Sequence, residues 1–217
     1  MNINMRFFEH AERNNRSFYI YDLKATAGET VFDAHWHTEF EILYAECDGM
    51  VKLDAKEIPL AKDSFVFINT EQLHQTVAYA NGRIFAMVFD FELLAFNNKD
   101  FCQTNIINAL KTKSSLFPQC DSLDEALCEE IKRLLKSIID VYYSNTPGYE
   151  LKIKCNLYEI IFLLYSGGKF ISYEKEKHYP LAQIDYVKKA VAYMEANYPQ
   201  PVTIDDLARC VSINKYY

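Results

Sequence analysis

The feature that most limits what this chain can fold into is a single change of hydrophobic period. From Phe18 to about Phe91 apolar and β-branched residues come in short alternating runs. Turn signals at Ala27-Gly28-Glu29, Asp48-Gly49 and Asn81-Gly82 break these runs, as expected of antiparallel strands. The clearest segments are Phe18 to Leu23, His35 to Ala45, Ser64 to Asn69 and Arg83 to Phe91, and their spacing suits a sandwich or barrel. After Leu94 the spacing becomes three and four, and from Ser122 to Tyr143 the residues Leu123, Leu127, Ile131, Leu134, Leu135, Ile138 and Tyr142 fall on one stripe. A strand-rich front followed by helices makes the fold class α+β.

Local signals divide the helical part. Ser122 with Glu125 predicts a capping box for the first helix. Thr146 and Pro147 suit the start of a second helix and Gly167-Gly168 its end, so the two helices form an antiparallel pair. Lys169 to Tyr179 is polar, closes at Pro180 and reads as a linker. Beyond it Ile184, Val187, Val191 and Met194 face one way on a third helix, which breaks at Pro199 and Pro201. Thr203 then caps a short helix, with Asp206 in its first turn. The predicted organisation is a barrel over 1–115, a helical pair over 116–168, a linker over 169–180 and a small helical unit over 181–217.

Composition excludes several classes. Half of the 217 residues are apolar and 24% are charged, with only 6 Gly and 6 Pro, which is the composition of a folded chain. No apolar run approaches the roughly 18 residues of a spanning helix, and Met1 to Arg16 lacks the apolar core of a secretory signal. Cytoplasmic location and no membrane partner are the expectation. The 6 cysteines include no Cys-x-x-Cys pair, which argues against a disulfide scaffold or a zinc knuckle. The net charge of −7 belongs to residues 1–180, because 181–217 carry four basic and four acidic side chains. Acidity therefore does not exclude nucleic-acid contact by the tail.

The residues with the most chemistry are His35, His37 and Glu41. On one strand they share a face, with Trp36, Phe40, Ile42 and Tyr44 on the other. His74, after the turn Thr70-Glu71-Gln72-Leu73, is placed to add a fourth group from a neighbouring strand. Three imidazoles and a carboxylate suit Mn, Fe, Ni or Zn. They also suit the lining of a sugar-sized polar ligand pocket, the reading preferred over metal binding, or a satisfied hydrogen-bond network.

These residues resemble the two cupin motifs. Gly28, His35, His37, Glu41 and Gly49 match the first, with one extra residue in each outer gap. In the second, Asp63 stands where the motif has its first Gly, Asn69 where it has Pro and Glu71 where it has Gly, leaving His74 in its expected place. "HWHTEFEILYAECDG", "DSFVFINTEQLHQT" and "IFAMVFDFELL" are similar to the sensor half of AraC-type transcription regulators, and "AVAYMEANYPQPVTIDDLARCVSINKYY" to the opening of their helix-turn-helix domain.

The resemblance implies a cupin-like antiparallel β-barrel, or jelly roll, then the antiparallel helical pair and a partial all-α helix-turn-helix domain. It also implies a homodimeric regulator that is not an enzyme. His35, His37, Glu41 and His74 would line the site of a small effector, by family a carbohydrate or similar polar metabolite. No cofactor is expected beyond a divalent metal on the same four residues. Asn214, Lys215, Tyr216 and Tyr217 would open the recognition helix on a DNA operator. Because the chain ends there, this form is expected to keep effector binding and dimerisation but not specific DNA binding. The competing class is a metal-dependent cupin oxygenase or isomerase, against which the departures in the second motif weigh.

Overall fold

The computed structural model describes residues 18–54, 56–172 and 179–213. They fall into two compact units, one within Phe8–Glu176 and one that begins at Lys177.

The first unit is built on eight strands. These are β1 (Phe18–Ala25), β2 (Thr30–His35), β3 (Phe40–Ala45), β4 (Gly49–Leu53), β5 (Lys56–Leu60), β6 (Ser64–Ile68), β7 (His74–Ala78) and β8 (Gly82–Phe89). They form two four-stranded sheets, ordered β1-β8-β3-β6 and β2-β7-β4-β5. Every pairing is antiparallel. Two sheets wound in this order are a jelly roll, the architecture expected of a cupin. Pro59 lies on β5 at the edge of its sheet, where its missing N–H leaves no ladder bond unmade.

Alternation along β3 separates two cores. Leu43 and Ala45 point inward to join Val51, Leu53, Leu60, Val66, Ile68, Ile84 and Val88 between the sheets. Phe40, Ile42 and Tyr44 point outward, with Phe18, Phe67, Met87 and Phe89, against the helices. Those helices are α2 (Glu125–Ser144) and α3 (Tyr149–Ser166), which follow a π-helical turn at Gln103–Ile107 and a single turn α1 (Asn108–Lys111). Ile131, Leu134, Leu135 and Ile138 of α2 and Ile153, Leu157, Ile160, Ile161 and Leu164 of α3 complete the outer core. A two-residue ladder, β9 (Ser115–Leu116) with β10 (Ile171–Ser172), closes the unit.

Several sequence expectations need correction. The segment His35 to Ala45 is two strands in different sheets, with a bend at Thr38-Glu39. Asp124, not Ser122, caps α2 by accepting from Leu127 N–H at 3.0 Å. Ser122 is spent inside a 3-10 turn, where its hydroxyl donates to the Gln119 carbonyl. α3 starts at Tyr149 after Gly148 at φ +85°, so Thr146 and Pro147 belong to the preceding turn. Gly168 does sit at φ +61° beyond the end of α3. Ile171–Ser172, within the segment read as linker, are paired to β9.

The second unit contains α4 (Tyr179–Asn197) and α5 (Ile204–Cys210). Thr203 and Asp206 form the full capping box at the start of α5, each side chain bonded to the other's backbone N–H. Asp206 also pairs with Arg209. Asn214 to Tyr217, the expected recognition-helix residues, lie outside the described residues, as do 173–178.

Phe40 ties the β1-β8-β3-β6 sheet to the segments that cover its outer face. It is fully buried, and its ring meets those of Phe67, Phe89, Phe91 and Phe117 at centroid distances of 4.2 to 6.0 Å. Phe40→Ala should cost about 3–5 kcal/mol, read as a fall in the urea midpoint at unchanged slope. A loss below about 1 kcal/mol would mean that those segments are held elsewhere.

Candidate functional site

Four side chains from both sheets meet at one end of the barrel interior. His35 closes β2 and pairs in register with His74, the first residue of β7. His37 follows on the bend between β2 and β3, and Glu41 points inward from the start of β3. The sequence expectation that these four converge holds, but by closure of two sheets and not by alternation along one strand. All are buried, with Glu41 and His74 only 2% and 1% exposed. One ligand atom from each lies within 4.8 Å of the others.

The imidazoles are oriented from behind. His35 Nδ1 lies 2.8 Å from the Asp33 carbonyl, His37 Nδ1 3.0 Å from that of Glu39, and His74 Nδ1 2.9 Å from that of Gln72. A carbonyl can only accept, so each Nδ1 carries the proton and each Nε2 is turned to the centre with its lone pair available when the ring is neutral. Asp33, Glu39 and Gln72 were not singled out from sequence. Their signal is positional, because each carbonyl lies two residues from the ring it orients.

The charges are strongly coupled. Burial, then the like charge of His74, pushes His35 down to about 4, so it is neutral at physiological pH. Burial opposes charge on Glu41 too, yet the hydrogen bond from His37 and the proximity of His74 outweigh it and hold the carboxyl well below its usual range. His37 moves upward for the complementary reason, its Nε2 standing 2.8 Å from Glu41 Oε2. His74 Nε2 is 3.4 Å from the same oxygen without forming a hydrogen bond.

This donor set fits a divalent cation. Glu41 Oε1 and His74 Nε2 are buried and have no hydrogen-bond partner, an arrangement that is costly unless another group satisfies them. Ligand atoms on one ion at about 2.1 Å stand at most about 4.2 Å apart, so a 4.8 Å spread needs only a small inward movement. Carbonyl bonds behind each imidazole are the usual support of metal-ligating histidines. The fully buried Thr76 hydroxyl, inward from His74 on β7, also lacks a partner. The sequence reading missed it.

Two positions of the segment that resembles the second cupin motif have a left-handed backbone. Asp63 and Glu71, which stand where the motif has Gly, adopt φ +59° and +63°. Each is held by a lysine, Asp63 by Lys136 at 2.8 Å and Glu71 by Lys113 at 2.6 Å.

No family model matches this chain, and no match was found among curated proteins. Among solved structures it is similar to apo ToxT, a lysine-to-alanine variant, from Vibrio cholerae, at 10% identity and TM-score 0.46 over 93% of this chain and 73% of that one. It is also similar to an RmlC-like cupin from Shewanella frigidimarina, at 17% identity and TM-score 0.33 over 35% and 68% of the two chains. A predicted oxalate decarboxylase from Thermotoga maritima gives 24% identity and TM-score 0.30 over 33% and 64%. With TM-scores this low, the strand order of this chain and its own side chains carry the fold.

The pH dependence follows from His35. Its folded value lies below the ordinary 6.5, so the unfolded chain binds more protons between pH 6.5 and about 4. The stability is therefore present above pH 6.5 and is lost as pH falls towards 4. At 1.36 kcal/mol per unit the loss is about 3 kcal/mol. Urea titrations of chelator-treated protein at pH 7 and 4.5 should show it, with a smaller loss in His35→Gln. Equal losses in the two proteins would assign the acid sensitivity to other groups.

Proposed function

We propose that this chain is the sensing part of a DNA-binding transcription regulator of the AraC type. In this reading the cupin barrel takes its signal at His35, His37, Glu41 and His74. The helical pair joins two copies, and residues 179–213 belong to a helix-turn-helix domain. The observation that carries the reading is a closed, four-donor polar site inside the barrel of a chain that also has a separate helical unit with a fully capped short helix.

The size of the site narrows the signal. Donor atoms within 4.8 Å of one another enclose one ion and leave no room among them for a sugar ring. A divalent ion therefore sits at the centre of the reading, either as the signal or as the anchor for a small polar effector reaching it. An ion bound there would take the place of the proton shared by His37 and Glu41, so its affinity would rise with pH.

Association of two copies is supported by the outer face of α3. This helix buries one side against α2 and the outer core, yet Leu151, Cys155 and Phe162 are exposed on the other, in line with Tyr158 and Tyr165, whose rings meet Phe96 and Phe101. The spacing of 4, 3, 4 and 3 is the seam of a coiled coil. A helix apolar on both sides is normally covered on both.

The enzyme reading, an oxygenase or isomerase, is favoured by the same inward-facing Nε2 atoms, and experiment separates the two. Metal analysis after dialysis should find one Mn, Fe, Ni or Zn per chain, lost in His74→Ala. Immunoprecipitation of the native gene product from its own cells should recover a small set of DNA segments. Recovery no better than a control, together with ion-dependent dioxygen uptake, would replace the regulator by the enzyme. Sedimentation should give a dimer that Phe162→Lys converts to monomer without changing the circular dichroism, and a wild-type monomer at about 100 μM would remove the helical interface.

A further inference from the structure

We propose that Asn69 couples occupancy of the four-donor site to the β9–β10 ladder, the last described part of the first unit before the chain leaves for the second. The inference deepens the reading above and rests on it. Its basis is the loop from Asn69 to Leu73, which touches the site at one end and the ladder at the other.

At the site end, Glu71 N–H donates to the His37 carbonyl at 2.8 Å, and the Gln72 carbonyl accepts from His74 Nδ1 at 2.9 Å. The loop thus holds two of the four donors through its backbone. It is also braced. The Gln72 side chain accepts from Asn69 N–H at 2.8 Å and donates to Asp54 at 3.1 Å, and Asp54 accepts from Leu73 N–H at 3.1 Å. A loop tied to itself in this way moves as one body.

At the other end, the buried Asn69 amide makes both backbone bonds that a strand neighbour would make. Its Oδ1 accepts from Phe117 N–H at 2.8 Å and its Nδ2 donates to the Phe117 carbonyl at 3.2 Å. Phe117 directly follows β9, whose Leu116 pairs with Ile171 of β10. Its ring packs 4.2 Å from Phe40, the neighbour of Glu41, and 5.1 Å from Phe170, the neighbour of Ile171. Lys113 adds an ion pair to Glu71 from the same segment.

An ion held by the four donors would fix His37 and His74 in place, and with them the backbone groups through which the loop holds them. That restraint reaches the ladder through Asn69, whose amide bonds the Phe117 backbone beside β9, while the Glu71–Lys113 ion pair joins the same loop to the start of that segment. The departure from the cupin motif at this position acquires a reason. A proline here would lack the N–H given to Gln72 and the amide given to Phe117.

The test is hydrogen exchange of the whole 217-residue chain with and without saturating Mn²⁺, and separately Zn²⁺, after metal content has been measured. In the wild type the ion should slow exchange about fivefold or more in peptides covering 69–74, 113–118 and 169–172. Asn69→Leu should bind the ion within about threefold of wild-type affinity and keep the response at 70–74 and at Lys113, which Glu71 still holds, while losing it at 115–118 and 169–172. Asn69→Asp, which keeps the acceptor for Phe117 N–H, guards against misfolding of the leucine variant and should lose part of the response. A bound ion with unchanged exchange at 115–118 and 169–172 overturns the coupling alone, as does a full response in Asn69→Leu. Wild-type protein that binds neither ion overturns the site reading first and the coupling with it.

Discussion

The fold is arranged around one expensive group, the carboxylate of Glu41. A charge this deep in a protein costs several kcal/mol unless it is paired and hydrogen-bonded. Glu41 has His37 at 2.8 Å, from the bend before its own strand, and His74 at 3.4 Å, from the opposite sheet. These contacts need β2 and β7 in their observed register, because His35 and His74 face each other there. They also need the bend after Trp36, which swings His37 back over the start of β3. The polar site and the closure of the jelly roll are therefore one requirement met once, and a slip of β7 by one residue would place His74 outside and leave the carboxylate without its second partner.

The two cores divide the labour around that group. Inside, Leu43, Val51, Val66, Ile68 and Ile84 fill the barrel with aliphatic side chains, which keeps water away from the cluster and strengthens every charge interaction within it. Outside, aromatic rings dominate, and they bind the β1-β8-β3-β6 sheet to α2 and α3. Tyr44 belongs to this second layer, but its hydroxyl reaches Asp63 Oδ1 at 2.5 Å. Lys136 of α2 joins the same carboxylate. The barrel and the helical pair thus share a polar clasp as well as an apolar face.

How much of this was legible in the sequence depends on the range of the interaction. The strands near Phe18, Ser64 and Arg83, the period change after Leu94 and the cap at Thr203 are local patterns, and all appear in the structure. The face assignments of Phe40, Ile42, Tyr44 and Glu41 were legible for the same reason. The division of His35 to Ala45 between two sheets was not, because continuous alternation cannot show that the chain has crossed from one sheet to the other. Ser122 satisfied the capping rule on paper but lost to Asp124, since the 3-10 turn before α2 uses the serine first. Asn69 was legible only as a departure from the motif and Thr76 not at all, because their partners or their lack of partners depend on segments far away.

Asp63 and Glu71, which stand where the resembled motif has glycine, both hold a left-handed backbone. A side chain in the left-handed region costs about 1 kcal/mol relative to glycine. Both residues accept that cost, and both use the side chain that glycine lacks: Asp63 binds Tyr44 and Lys136, and Glu71 binds Lys113. An exposed ion pair alone is worth roughly 0–1 kcal/mol, so the exchange is close to even in stability. Its gain lies in connection. The glycines of the motif would let the backbone turn and end there, whereas these carboxylates turn it equally and fasten the barrel to α2 and to the segment after α1. Asn69, at the position of the motif's proline, bonds across to Phe117 with both ends of its amide. All three residues lie on the β6 and β7 side of the barrel, and each links it to a segment outside the sheets: Asp63 to α2, Glu71 to Lys113 and Asn69 to Phe117.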